Sequence, residues 1–142
     1  MRTEANRLGG DPSQDPIIRA RGALRRLLIV DDEPLVRATL RILLESTGYE
    51  VLEAADGLSA IAQCRAHADE LVGVLLDLGL PGTSGAAVFR EIRTIRSDMP
   101  VLISSGRDVE SIAAELRYAP GVRILPKPFR LEELEAWLRS QG

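Results

Sequence analysis

Short apolar runs alternate with amphipathic stretches of helical length, five times over, from Leu27 to the end of the chain. This alternation is typical of α/β architecture. The first, third and fourth runs are almost continuously apolar, as expected of parallel strands that are covered on both faces. The predicted strands are residues 27–30, 50–54, 72–76, 101–104 and 122–125.

The stretches between these runs carry apolar residues at helical spacing, which predicts helices that face a core. Strands joined by helices run parallel with right-handed crossovers, and about 15 residues between strands leave no room for hairpins and a second domain. The predicted core positions are Val36, Leu40, Leu43 and Thr47; Val88, Ile92 and Ile95; Val109, Ile112, Ala113 and Leu116; and Leu131, Leu134 and Leu138, with Trp137 beside them.

Composition narrows the class of protein. The 142 residues are 45% hydrophobic and 27% charged, which suits one compact core. No apolar run approaches the ~20 residues of a membrane span, so we expect a cytoplasmic protein without a membrane contact. The single Cys64 excludes an internal disulfide and a thiolate metal cage. A net charge of −3 argues against direct binding to nucleic acid.

The charge is unevenly distributed. Residues 1–26 hold six arginines against three acidic residues, a balance of +3, which leaves residues 27–142 at −6. The same segment is rich in glycine and proline and has no apolar periodicity, so it cannot offset its ordering entropy by burial. We therefore expect residues 1–25 to form a flexible basic tail and residues 26–142 to form one domain, with no output domain attached.

Acidic residues follow two of the predicted strands. Asp31, Asp32 and Glu33 follow the first strand, and Asp77 follows the third. In an open parallel sheet, ligands bind outside the carboxyl ends of the strands, where the strand order reverses. Carboxylates that meet there repel each other unless a cation neutralises them. This predicts a hard divalent ion held by oxygen, and Mg²⁺ fits best because it takes one or two carboxylates and keeps its other positions for water or phosphate.

Polar residues also follow the fourth and fifth strands. The fourth ends in Ser104 and Ser105, and the fifth ends in Lys127, which is the only lysine among the 18 basic residues. A compact ammonium on a flexible stem can act as a point charge toward a phosphoryl oxygen, where a planar guanidinium is too broad. The predicted site therefore combines carboxylates, hydroxyls and one ammonium.

These motifs, in this order, resemble the response-regulator receiver domain of two-component signalling, a CheY-like superfamily. The resemblance covers roughly residues 26–140 and implies a flavodoxin-like fold: a five-stranded parallel sheet of order 2-1-3-4-5 with helices on both faces. The segments that carry it are Val-Asp-Asp-Glu-Pro at 30–34, Leu-Asp-Leu-Gly-Leu-Pro-Gly at 76–82, Ser-Ser-Gly at 104–106 and Leu-Pro-Lys-Pro-Phe at 125–129.

The resemblance also implies roles for these residues. Asp77 accepts a phosphoryl group from a histidine kinase or histidine phosphotransfer protein, and the domain then signals to a downstream protein by a change of conformation. Mg²⁺ is held by Asp32 and Asp77, by the main-chain carbonyl of Gly79 and, mostly through water, by Asp31. Ser105 is the switch hydroxyl. Lys127 pairs with the phosphate and precedes Pro128 in a cis peptide bond.

Such a domain is a monomer or a weak dimer that depends on phosphorylation, and it is not a conventional enzyme. The sequence departs from the family pattern at Ile124, where many members have a tyrosine or phenylalanine that rotates with the switch hydroxyl. Gly79 and Arg107 occupy the two variable positions that tune the lifetime of the phosphoryl group.

Two alternatives to a phosphorylatable receiver stay open. A pseudo-receiver would keep the fold as an interaction module without accepting phosphate. An aspartate-nucleophile phosphohydrolase of haloacid-dehalogenase type would also use Mg²⁺, an aspartate and a lysine on a parallel sheet. It would need a second aspartate two positions after its nucleophile, whereas Leu78 and Gly79 follow Asp77.

Overall fold

The structure is a computed structural model that describes residues 25–106 and 112–141. Strands and helices alternate along these residues, as the hydrophobic pattern predicts. The strands are β1 Arg25–Val30, β2 Tyr49–Ala54, β3 Leu71–Asp77, β4 Val101–Ser105 and β5 Val122–Pro126. The helices are α1 Pro34–Glu45, α2 Gly57–His67, α3 Gly85–Ile95, α4 Ala114–Arg117 and α5 Leu131–Ser140.

The five strands form one parallel sheet of order β2-β1-β3-β4-β5, which confirms the predicted fold. The strand order reverses between β1 and β3, so a crevice opens there at the carboxyl ends of the strands. Val30 at the end of β1 is in register with Ala54 of β2 and with Leu76 of β3. This register places the residues that follow β1 beside the last residue of β3.

Each face of the sheet packs against its own set of helices. One face, called the α1–α5 face, packs against α1 and α5. The strand residues in its core are Leu27, Ile29, Leu75, Leu102 and Leu125. The α2–α3–α4 face joins alternate strand residues, such as Val74 and Ile103, to the other three helices. Because successive side chains of a strand point to opposite faces, continuous apolar runs supply both cores.

One glycine in the sheet makes room for the only tryptophan. A Cβ atom at Gly73 in β3 would lie 2.6 Å from the Trp137 ring of α5, closer than carbon atoms approach each other. Trp137 is 3% exposed. The ring is therefore docked against the core, as the helical spacing of its neighbours predicts.

The predicted core stripe of α1 is wrong at two positions. Leu40 and Leu44 are buried, whereas Leu43 is 36% exposed and Thr47 lies beyond the end of the helix. The core contacts of α1 follow a spacing of four: Val36 is partly buried, and Leu40 and Leu44 are buried, against the sheet. By contrast, the predicted stripes of α3 and α5 lie on their cores as expected.

The predicted fourth helix differs from its apolar pattern in the residues that the structure describes. Of the predicted core positions described there, only Leu116 lies in α4, which has four residues; Ala113 is exposed and precedes the helix. Ile112 is nevertheless buried in the α2–α3–α4 core. Val109 and Arg107 lie outside the described residues, as does the predicted tail up to residue 24, whereas Arg25 begins β1.

Candidate functional site

Three carboxylates converge at the carboxyl edge of the sheet. Asp31 directly follows β1, and Asp77 is the last residue of β3. Asp31, Asp32 and Asp77 each offer a carboxylate oxygen, and these oxygens lie within 4.8 Å of one another. Glu33 is not part of this group; its backbone N–H donates to Oδ1 of Asp31 at 2.9 Å. The sequence prediction that this edge gathers acidic side chains is thus confirmed for the three aspartates.

The three aspartates differ in exposure. Asp31 and Asp77 are 4% and 7% exposed, and Asp32 is exposed. The Asp77 carboxylate is oriented by the backbone N–H of Gly79, which donates to Oδ1 at 3.0 Å. A Cβ atom at position 79 would lie 3.5 Å from the same oxygen, an ordinary van der Waals contact, so a side chain at this position would be a direct neighbour of the carboxylate.

Lys127, which directly follows β5, lies close to two of the three aspartates. Its Nζ lies 3.4 Å from Oδ2 of Asp77 and 3.5 Å from Oδ2 of Asp31. The backbone N–H of Lys127 donates to the Ser105 carbonyl at 2.7 Å, and the Lys127–Pro128 peptide bond is cis, as predicted. Burial lowers the pKa of Lys127, but the attraction of Asp77 and Asp31 outweighs it, so the pKa lies above its ordinary value. The ammonium therefore stays charged between the two carboxylates.

The two serines that end β4 lie on opposite faces of the sheet. Both are 2% exposed. Ser104 is in register with Asp77, and Ser105 is in register with Pro126. Strand alternation puts Ser105 on the face of Ile103, away from that of Asp77. The structure thus brings the predicted switch residue to the edge of the site, whereas Ser104 shares a face with Asp77.

The donor set of this edge suits Mg²⁺. Three carboxylates supply hard oxygen ligands and an excess of negative charge, which a divalent cation neutralises. Lys127 already compensates part of that charge at Asp31 and Asp77. Asp32 has no such partner among the contacts seen in residues 25–106 and 112–141, and its exposed carboxylate is accessible to an ion. The residues present therefore fit the metal that the sequence predicts.

A further group of residues supports the site from α1 and β2. Arg37 donates to the main-chain carbonyl of Asp31 at 2.6 Å and to Glu53 at 2.9 Å. Arg41 donates to the other carboxylate oxygen of Glu53 at 2.6 Å. Sequence reasoning did not identify these contacts, because an arginine on a helix has no local signal that shows which strand residue it meets.

Two residues that carry reactive groups lie away from the edge. Cys64 is fully buried in α2, and burial raises the pKa of its thiol to about 11. His67 ends α2 and its Nδ1 lies 2.8 Å from a carboxylate oxygen of Glu70. Neither residue belongs to the group of possible metal ligands formed by Asp31, Asp32 and Asp77.

Comparison with known proteins assigns the family. Residues 27–139 match the response regulator receiver domain family. The chain belongs to that family. Receiver domains of response regulators interact with histidine kinases and with downstream effectors, and they are not a conventional enzyme family. None of the described helices is long and apolar enough to cross a membrane.

Relatives of this receiver domain include longer proteins. The response regulator MprA of Mycobacterium avium is 37% identical over 115 residues, which are 81% of this chain and 50% of the relative. The chain thus spans about half the length of the curated relatives it matches. The sequence alignment therefore equates this chain with one part of those proteins.

Solved receiver domains share the fold. The receiver domain of the hybrid histidine kinase CckA is 34% identical with a TM-score of 0.69, covering 82% of this chain and 97% of that chain. The response regulator TrrA of Thermotoga maritima was solved in complex with Mg²⁺ and BeF. It is 28% identical, with a TM-score of 0.70, and the match covers 84% of this chain and 100% of that chain. Both similarities extend over nearly the whole of the solved chain.

Proposed function

We propose that this receiver domain accepts a phosphoryl group on Asp77 from a histidine kinase or histidine phosphotransfer protein. The observation that carries the proposal is the junction of three aspartates and Lys127 at the switch point of the sheet. Asp77 is the aspartate on the central strand, between the acidic pair after β1 and the lysine after β5. The family assignment favours this function over the phosphohydrolase alternative.

The residues of the edge divide the chemistry between them. A carboxylate oxygen of Asp77 attacks the phosphorus, the bond to the donor nitrogen breaks, and an acyl phosphate forms. The Gly79 N–H holds the carboxylate in orientation, and Lys127 supplies positive charge toward the incoming phosphoryl oxygens. Hydrolysis ends the phosphorylated state: water attacks the phosphorus, the bond to the Asp77 oxygen breaks, and inorganic phosphate leaves with the free carboxylate restored.

Mg²⁺ would be held by Asp32 and Asp77, by the Gly79 carbonyl and, through water, by Asp31. When bound, it shields the negative charge that the carboxylate and the phosphoryl donor bring together. Supporting this assignment, Asp31 already accepts from the Glu33 N–H and pairs with Lys127, while Asp32 is exposed. Of the two adjacent aspartates, Asp31 thus has less free capacity for direct ligation than Asp32.

The phosphorylated domain would then signal through β4. Ser105 ends this strand at the edge of the site, and its carbonyl is tied to Lys127. A new phosphoryl group would draw the Ser105 hydroxyl inward, and the neighbouring α4 and β5 would follow. A downstream protein would bind the altered surface.

The test is phosphorylation by a small donor. With Mg²⁺ and acetyl phosphate, the intact mass of the wild-type chain should rise by one phosphoryl group, and hydroxylamine should remove it because an acyl phosphate is labile to that nucleophile. Asp77→Asn should abolish the increment, since an amide is not a nucleophile for this reaction. Asp56→Asn is a matched control, because Asp56 caps α2 away from the acidic group.

Two results would contradict the proposal. If Asp77→Asn gains the full, metal-dependent increment, another residue is the acceptor. If the wild type gains none from acetyl phosphate and none from histidine phosphotransfer proteins, the chain is a pseudo-receiver that keeps the fold as an interaction module.

A further inference from the structure

The hydroxyl of Ser104 stands out among the buried polar groups of the described residues. Ser104 is 2% exposed, and its Oγ is the one buried side-chain oxygen or nitrogen there that has no hydrogen-bond partner. Buried hydroxyls are nearly always paired, because an unpaired one has lost its hydrogen bonds to water without replacement. An unpaired hydroxyl next to a reactive group therefore suggests a partner that arrives in another state of the protein.

The strand register places this hydroxyl beside the phosphoacceptor. Ser104 is the direct neighbour of Asp77 on β3 and of Leu125 on β5. Leu102, Leu75 and Leu125 all belong to the core of the α1–α5 face. Because side chains alternate along a strand, Ser104 and Asp77 point to that same face from strands about 4.8 Å apart.

The free Asp77 carboxylate is already engaged by other donors. Its Oδ1 accepts from the Gly79 N–H, and its Oδ2 pairs with Lys127. Phosphorylation adds three strong acceptor oxygens to this side chain. Phosphorylation thus adds hydrogen-bond acceptors to the residue beside Ser104. The Ser104 hydroxyl has no acceptor in the unphosphorylated state.

We propose that Ser104 is a second hydroxyl of the site, whose Oγ–H donates to an oxygen of the phosphorylated Asp77 side chain. This inference rests on the proposed phosphorylation of Asp77. No covalent bond forms or breaks at Ser104, and its proton stays on Oγ. A hydroxyl that is unpaired before phosphorylation and paired afterwards stabilises the phosphorylated state relative to the free one. Ser104 thus shifts the balance between the two states, whereas Ser105 approaches from the opposite face and moves β4.

The test measures binding and stability on the same variants of the full chain. Ser104→Ala should weaken the affinity for beryllofluoride with Mg²⁺, a mimic of the phosphoryl group, by roughly ten- to a hundredfold, the loss of one hydrogen bond to a charged acceptor. Without beryllofluoride, the temperature at which this variant unfolds should be no lower than that of the wild type, because the removed hydroxyl has no partner in that state. Ser104→Thr keeps the hydroxyl and should restore most of the affinity.

Opposite responses of affinity and stability distinguish this role from a structural one. Thr94→Ala removes an exposed hydroxyl from α3 and should change neither quantity by much. If Ser104→Ala binds beryllofluoride as tightly as the wild type, the Ser104 role is wrong while phosphorylation of Asp77 stands. If Ser104→Ala unfolds at a lower temperature and Ser104→Thr does not restore the affinity, the hydroxyl is structural and the proposal fails. If the wild type binds no beryllofluoride and takes up no phosphoryl group, the proposed function fails together with it.

Discussion

Two adjacent aspartates with the same chemistry have different surroundings. Asp31 is buried, accepts from the Glu33 N–H and lies 3.5 Å from the ammonium of Lys127. Asp32 is exposed and belongs to the same acidic group. A metal ion that enters this edge would compete with Lys127 for Asp31, whereas it would meet Asp32 without that competition.

We therefore expect Asp32→Asn to weaken Mg²⁺ binding more than Asp31→Asn. The loss at Asp32 should be at least about tenfold, the range seen when groups around a metal are removed. A titration followed by amide chemical shifts or by calorimetry gives both constants. Equal losses would contradict the assignment of direct ligation to Asp32 and water-mediated contact to Asp31. Asp69→Asn, outside the acidic group, controls for the loss of one negative charge.

At the scale of elements, the carboxylate of Glu53 in β2 forms ion pairs with two arginines of α1. Glu53 accepts from Arg37 at 2.9 Å and from Arg41 at 2.6 Å, and Arg37 also donates to the Asp31 carbonyl at 2.6 Å. Burial raises the pKa of Glu53, but the two arginines outweigh it and hold the pKa below its usual value. This contact ties the helix that follows the acidic pair to the sheet.

The lowered pKa of Glu53 predicts how stability depends on pH. A carboxyl whose folded-state pKa is depressed contributes stability that is fully present above the ordinary glutamate pKa of about 4.3 and is lost as pH falls through the folded value. Glu53→Gln should thus lower the free energy of unfolding at pH 7 by about 1 kcal/mol, as for a partly exposed ion pair. The difference from the wild type should shrink as the solution becomes more acidic than pH 4.

Urea unfolding between pH 3 and pH 7 provides the measurement. Glu45→Gln is the control, since Glu45 is an exposed partner of the same Arg41 at 3.3 Å and contributes only a few tenths of a kcal/mol. A Glu53→Gln difference that stays constant over this pH range would show that the charge of Glu53 does not stabilise the fold.

The sequence predicts the elements better than it predicts their packing. The apolar runs predict all five strands, and most clearly β1, β3 and β4, because a strand covered on both faces needs apolar residues at successive positions. Leu43 and Leu44 are equally apolar neighbours in α1, so only the position of the sheet determines that Leu44 is buried and Leu43 is exposed. The apolar pattern before α4 is ambiguous for a similar reason: Ile112 is buried, but it precedes the helix.

The same limit applies to the site. Asp31, Asp32, Asp77 and Lys127 could be predicted because each follows a strand, and strand ends meet at one edge of a parallel sheet. The role of Ser104 could not, since it depends on which residue of β3 lies opposite it and on whether its hydroxyl has a partner. Register and pairing are properties of the folded molecule.

At the scale of the whole molecule, a signal must travel from the acidic edge to a surface that a partner can read. The path proposed above runs from Ser105 at the end of β4 to α4 and β5. Ile124 of β5 is half-buried and packs against the α2–α3–α4 core. Many receiver domains have an aromatic ring at this position that rotates with the switch hydroxyl, and Ile124 has no ring that could rotate in this way.

We therefore expect beryllofluoride with Mg²⁺ to cause large amide shifts around Asp77 and the end of β4, and smaller ones in α4 and β5. Ser105→Ala should still take up a phosphoryl group on Asp77, because Ser105 is neither the nucleophile nor a metal ligand in the proposed site. It should reduce the α4 shifts, because no hydroxyl on that face remains to follow the phosphoryl oxygens. Thr94→Ala, which loses a hydroxyl on the outer surface of α3, should leave the α4 shifts as in the wild type.

Unchanged α4 shifts in Ser105→Ala would mean that Ser105 does not carry the signal. In that case Lys127, which follows β5 and whose ammonium lies 3.4 Å from Asp77, would connect the acidic edge to β5.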